Sequence, residues 1–264
     1  MIYASPVSND LPGLLARLTV ALPPGRLVRG DHGDDEEPAL WVSDEPATPD
    51  VWRTLQAEHP GSGLYPLLLD TLWNDTHRPW DEGELWPATM SAPGDHDPDV
   101  VLRQWWASYA RRTEAATTPF TRRWPGLAAP GDVSTDPDRL AARCAGELLR
   151  INPKQRIGLV AAARGSDALA ACGWQGPGNH ENDTGVIAAV VRSWEDRFGV
   201  RVIGLGYADL DVSVAAAPSR HADAMRIAAE HFAFCPDNVL QGSGRLIRYA
   251  HDLVDAEIWH FWWD

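Results

Sequence analysis

Residues 200–215 read VRVIGLGYADLDVSVA, and this stretch decides the fold. Val200 to Leu205 is a strand-forming apolar run. Asp209 to Ala215 alternates, with Leu210, Val212 and Val214 on one side and Asp211 and Ser213 on the other. That period of two is the mark of a half-buried strand. Gly206-Tyr207-Ala208 between them is short enough for a hairpin.

Working outward, Thr184 to Phe198 has helical spacing and ends at Gly199, the usual left-handed position after a helix. Ser166 to Cys172 is a short helix closed by Gly173, Ile157 to Ala162 a strand, and Asp138 to Arg150 a helix. Downstream, Ser219 to Phe234 is helical, with Met225, Ala228, Ala229 and Phe232 on one face. Leu246 to Val254 is a last helix before the aromatic strand Ile258 to Trp263. From Ile157 the order is β-α-β-β-α-β, a ferredoxin-like order. The expected fold class is α+β, with this C-terminal domain at 137–264 and a smaller N-terminal α/β unit at 1–98 joined by a helix. The N-terminal strands are expected at Ile2 to Ala4, Arg26 to Val28, Ala39 to Val42 and Leu64 to Leu72. The connector, 99–136, holds a helix from Asp99 to Ala116 and an irregular stretch from Thr118 to Pro137.

The formal charge of −14 argues against a nucleic-acid backbone as partner and suits a basic protein partner. Lys154 is the only lysine, so the abundant arginine is compositional rather than a sign of phosphate recognition. Cys144, Cys172 and Cys235 are far apart and odd in number, which fits a reducing cytoplasm. No apolar run approaches the roughly 20 residues that span a bilayer, and the first ten residues do not read as a signal peptide. Walker A, GxSxG, HExxH and zinc-ribbon patterns are absent from the text.

The chemistry-bearing residues gather in EHFAFCPDN, residues 230–238. His231 and Cys235 stand at i, i+4 and share a helix face, two ligands short of a structural zinc site, so no metal and no cofactor is expected. The bland assignment for both is core packing, with Pro236 stopping the helix. Glu230 faces the other way, four residues after Arg226, as a surface ion pair or a carboxylate in an interdomain cleft. A catalytic set, if present, draws on Glu230, His231, Cys235, Asp237 and His260.

The loop Gly173 to His180 leads into a helix start that can hold an anion, but Glu181 and Asp183 are placed to cap it. In Trp194 to Phe198 the aromatics read as core. The acidic loop Asp31 to Glu37 lacks the ligand order of a calcium loop. Arg103, Arg111, Arg112, Arg122 and Arg123 beside Trp105, Trp106 and Trp124 read as docking onto the chain's own acidic surface. In the last strand Ile258, His260 and Trp262 face one way and Trp259, Phe261 and Trp263 the other, so both faces should be covered. The cover is expected from the N-terminal unit, the connector helix or another subunit, the last giving a homo-oligomer through the C-terminal strand.

The segments RIGLVAAARGSDALAACGW (156–174), VVRSWEDRFGVRVIGLG (190–206), AAEHFAFCPDNV (228–239) and WHFWWD (259–264) together resemble a bacterial domain-of-unknown-function family, number 4253. The resemblance covers the C-terminal 110 or so residues and implies no activity, substrate or cofactor. The leading expectation is a non-catalytic, soluble protein-binding or immunity-type protein. The alternatives are an enzyme with an interdomain cleft using Glu230, His231 and Cys235, and a small-ligand binder whose pocket is lined by Trp174, Trp194, Trp259 and Trp262.

Overall fold

The computed structural model describes residues 10–30, 37–72 and 76–264. The expected strand at Ile2 to Ala4 and all but Glu37 of the acidic loop lie outside them. The strands are β1 (Gly25–Arg29), β2 (Pro38–Pro46), β3 (Leu64–Leu69), β4 (Arg156–Ala161), β5 (Val200–Leu205), β6 (Asp209–Val214) and β7 (Ile258–Trp262). The α-helices are α1 (Leu11–Leu15), α2 (Pro49–Ser62), α3 (Pro98–Ala110), α4 (Pro137–Ile151), α5 (Gly165–Ala171), α6 (Thr184–Phe198), α7 (His221–Phe234) and α8 (Leu246–Asp252).

The protein is mixed α and β, built on one sheet of seven strands in the order β1-β2-β4-β3-β5-β6-β7. The β5–β6 hairpin forms as its sequence predicts, with Leu205 opposite Leu210 and the Gly206 N–H donating to Asp209 O. From residue 156 the chain order is β-α-α-β-β-α-α-β, two helices standing where the ferredoxin-like order has one. The ferredoxin-like arrangement of neighbours is not present either. Strand β3 lies between β4 and β5, antiparallel to the first and parallel to the second. Strands β4 and β5 therefore run in opposite directions, and α5 and α6 make no parallel crossover. Nor does the expected N-terminal unit, 1–98, form a sheet of its own, because β1, β2 and β3 are strands of the common sheet. Every residue of β3 is buried, which requires neighbours on both edges and cover on both faces. An apolar run announces that requirement without naming the neighbours.

Helices cover both faces. On one, α3, α6, α7 and α8 enclose a core holding Trp106, Trp174, Trp194, Phe232, Phe234 and Phe261. The expected connector helix is thus part of this layer rather than a linker. On the other face α1, α2 and α4 bury Leu11, Trp52, Leu55, Leu140 and Cys144 against β2, β3 and β4. Local chemistry fixes the helix ends. Asp136 caps α4 by accepting from the N–H groups of Asp138 and Arg139, with Pro137 in the first turn. Asp183 caps α6 by accepting from Gly185, and Gly199 closes it at φ +60°.

Candidate functional site

The 230–238 stretch ends α7 and turns along the edge strand β7. Glu230 is fully buried, contrary to both expectations for it. Its Oε2 accepts from Arg197 Nη2 at 2.6 Å and Trp194 Nε1 at 2.8 Å. Its Oε1 accepts from Arg197 Nη1 at 2.9 Å and the Ala128 N–H at 2.6 Å. Arg226 does not pair with it but donates to Pro125 O. The 125–131 segment lies over α7 at this point, so a position that is outward on the isolated helix is interior in the fold. A carboxylate with all four contacts filled is a structural pin, not an acid or base.

His231 and Cys235 are also fully buried. His231 Nδ1 lies 3.1 Å from the Tyr249 hydroxyl oxygen, in hydrogen-bond contact, and Nε2 has no partner. Trp259, Phe261 and Trp194 stand edge-on around its ring, with centroids at 4.4, 4.8 and 5.0 Å. Burial, reinforced by the Arg197 charge, holds the imidazole neutral with a pKa well below its ordinary value. Burial pushes the Cys235 thiol up to about 12, so at neutral pH it is no nucleophile. It donates to Trp262 O at 2.9 Å. Among the described residues no group of three or more His, Cys, Asp or Glu is placed to hold a metal ion. Asp237 accepts from Gln241 Nε2 and from the Asp264 N–H, which ties down the C-terminal residue.

Asn238 has the role the sequence did not disclose. Its side-chain amide accepts from the Trp262 N–H at 3.4 Å and donates to His260 O at 2.7 Å. Those are outward groups of β7, so the amide occupies the place of a further strand. The edge that invited a second subunit is therefore already occupied at these two residues. The same amide donates to Tyr249 Oη at 3.0 Å, linking edge and buried histidine in one chain of hydrogen bonds.

The tryptophans divide in the same way. Trp174, Trp194 and Trp259 are buried in the core. Trp262 is only partly buried and lines a shallow cleft of about 370 Å³ together with Asn238, Arg248, Tyr249, Asp252 and His260. Here the expected cover of β7 fails on one side. Trp259, Phe261 and Trp263 are buried, whereas His260 is exposed and Ile258 and Trp262 are half-buried. Helix α4 reaches only the Glu257 end, through Arg143 and Cys144.

His260 Nδ1 lies 2.8 Å from Asp211 Oδ1, and its Nε2 is 3.8 Å from Asp209 Oδ1. The Asp211 hydrogen bond raises the His260 pKa. Burial raises those of Asp70 and Asp209, and Asp211 adds to both. The outer face of β6 and β7 thus joins clustered carboxylates and one imidazole to a part-exposed indole. Asp211 was visible in the sequence as the outward member of an alternating strand, but its pairing with His260 required the β6–β7 register.

Asp183 also accepts from the Ser91 N–H, so the α6 start is filled by the chain itself. Arg103 pairs with Asp99 and Arg122 with Glu114. No helix among the described residues is long and apolar enough to cross a membrane.

Comparison with known proteins adds one finding. Residues 156–264 match the family described as Domain of unknown function (DUF4253). No curated protein and no solved structure matches the chain. The match takes in β4 to β7, the 230–238 stretch and the His260 face, and leaves out β1, β2 and β3.

Proposed function

We propose that the protein is a non-catalytic binding module that engages a basic segment of another protein across the outer face of β6 and β7. The observation that carries this is the composition of that face: Asp209, Asp211 and His260 packed beside the part-exposed Trp262. Carboxylates held close together gain most from an incoming cation, and an indole offers both apolar area and a cation-attracting ring. The net charge of −14 acts in the same direction by steering a basic partner inward. An immunity-type role, masking a basic surface of a partner, follows the same chemistry. The full burial of Glu230, His231 and Cys235 favours binding over turnover. Calorimetric titration with arginine-rich peptides tests the assignment. We expect binding that weakens with salt and drops at least tenfold in Trp262→Ala and Asp211→Asn. Absence of peptide binding, together with a defined catalytic turnover, would sink it.

A further inference from the structure

A second site lies at the opposite end of β5, away from the His260 face. The parallel ladder of β3 and β5 covers only Leu68 with Gly204 and Leu69 with Leu205. Pro66 has no N–H to donate, and β5 bulges between Val202 and Gly204, so the strands part. The Tyr65 hydroxyl spans the gap, donating to Val202 O at 2.7 Å. Beside it opens a cleft of about 330 Å³ lined by Gln56, His59, Asp138, Arg164, Asp196 and Arg201. That volume suits a small molecule.

The cleft holds unspent hydrogen-bonding capacity. Gln56 is 7% exposed, and its Nε2 donates to Asp138 Oδ1, which fixes the orientation of the amide. Its Oε1 is then left buried without a partner. His59 Nε2 lies 2.8 Å from Ala162 O and, facing a carbonyl, carries a proton that it donates there. Arg164 uses Nε on Glu195 and Nη2 on Asp196, which leaves Nη1. Arg201 uses Nε on Asp138 and Nη1 on Val200 O, which leaves Nη2. Acceptors and guanidinium donors therefore share one small cavity. Its carboxylates, Asp138, Glu195 and Asp196, outnumber the two arginines, which disfavours a bare anion.

We propose that this cleft binds a small zwitterion of the α-amino-acid class. The ammonium is taken by Gln56 Oε1 and the Asp138 carboxylate, and the carboxylate by Arg164 and Arg201. The test is thermal shift followed by calorimetry with the twenty proteinogenic amino acids, with acetate and ethylamine as single-function controls. We expect at least one amino acid to bind while neither control does. Gln56→Met, which keeps the shape and removes the orphan oxygen, should weaken that binding at least tenfold, and so should Arg201→Gln, each with cooperative melting retained. Failure of every amino acid to bind overturns the proposal, as does binding unchanged in either folded variant.

Discussion

Glu230 and His231 are adjacent, equally buried, and opposite in what they do to stability. The Glu230 carboxylate is desolvated, but its partners are the Arg197 guanidinium, an indole N–H and a backbone N–H, all within hydrogen-bond reach. Removing one side strands the other. Glu230→Ala should cost about 3–5 kcal/mol in urea unfolding. The double variant Glu230→Leu with Arg197→Met should cost less than the sum of the singles, because it leaves no lone charge. His231 instead resists protonation. Its folded pKa is depressed by burial, as is that of His180, which burial lowers to about 4. In the unfolded chain both titrate near 6.5. As pH falls from about 6.5 towards 4 the unfolded state takes up protons that the folded state refuses, so stability must fall. The limit is roughly 1.4 kcal/mol per pH unit for each histidine. His260 opposes this, since its raised folded pKa adds stability below the unfolded value and loses it as pH rises through the folded value. Urea titrations across this range should show the decline, and His231→Phe should make it shallower. Helical spacing put His231 and Cys235 on one helix face, with core packing the bland assignment, but left open whether that face is buried or in a pocket; both residues are buried. It missed Glu230, because the segment over α7 comes from about a hundred residues earlier.

At the scale of the element, the edge strand β7 is the part most exposed to error in folding and association. Free strand edges recruit other strands. Here Asn238, positioned by Pro236 and the π-helical turn Asn238–Ser243, pairs with the outward groups of His260 and Trp262. Asn238→Leu should leave the His260 carbonyl and Trp262 N–H without partners at a cost of about 1–3 kcal/mol. It should also produce concentration-dependent self-association, seen by analytical ultracentrifugation. Unchanged stability and a strictly monomeric variant would contradict the role given to Asn238. The strands and helices themselves were largely legible, since period two, period 3.6 and terminal glycines are local signals. Which strand lies beside which is not local. The alternation in β6 disclosed an inner and an outer face, but only the register brought Asp211 to His260. The orphan oxygen of Gln56 was invisible because α2 meets α4 across 82 residues of chain.

At the scale of the whole molecule, the family match and the folding unit have different boundaries. Residues 156–264 carry the match, yet within the sheet their β4 and β5 are joined only through β3. Excised alone, 156–264 would leave an edge open on each of these strands and bare the sheet face that α2 and α4 cover. It should show no cooperative thermal transition and little near-ultraviolet circular dichroism, and adding the preceding residues 10–155, which carry β1 to β3 and α1 to α4, in trans should restore both. The insertion also governs how the chain is made. Strand β3 leaves the ribosome with neither neighbour in existence, and its β5 partner follows 136 residues later. At roughly 5–20 residues per second an entirely apolar strand waits on the order of ten seconds for its place in the sheet. During nascent-chain synthesis β3 thus stays unpaired until both of its sheet neighbours follow, with α2, made just before it, the element placed to shelter it.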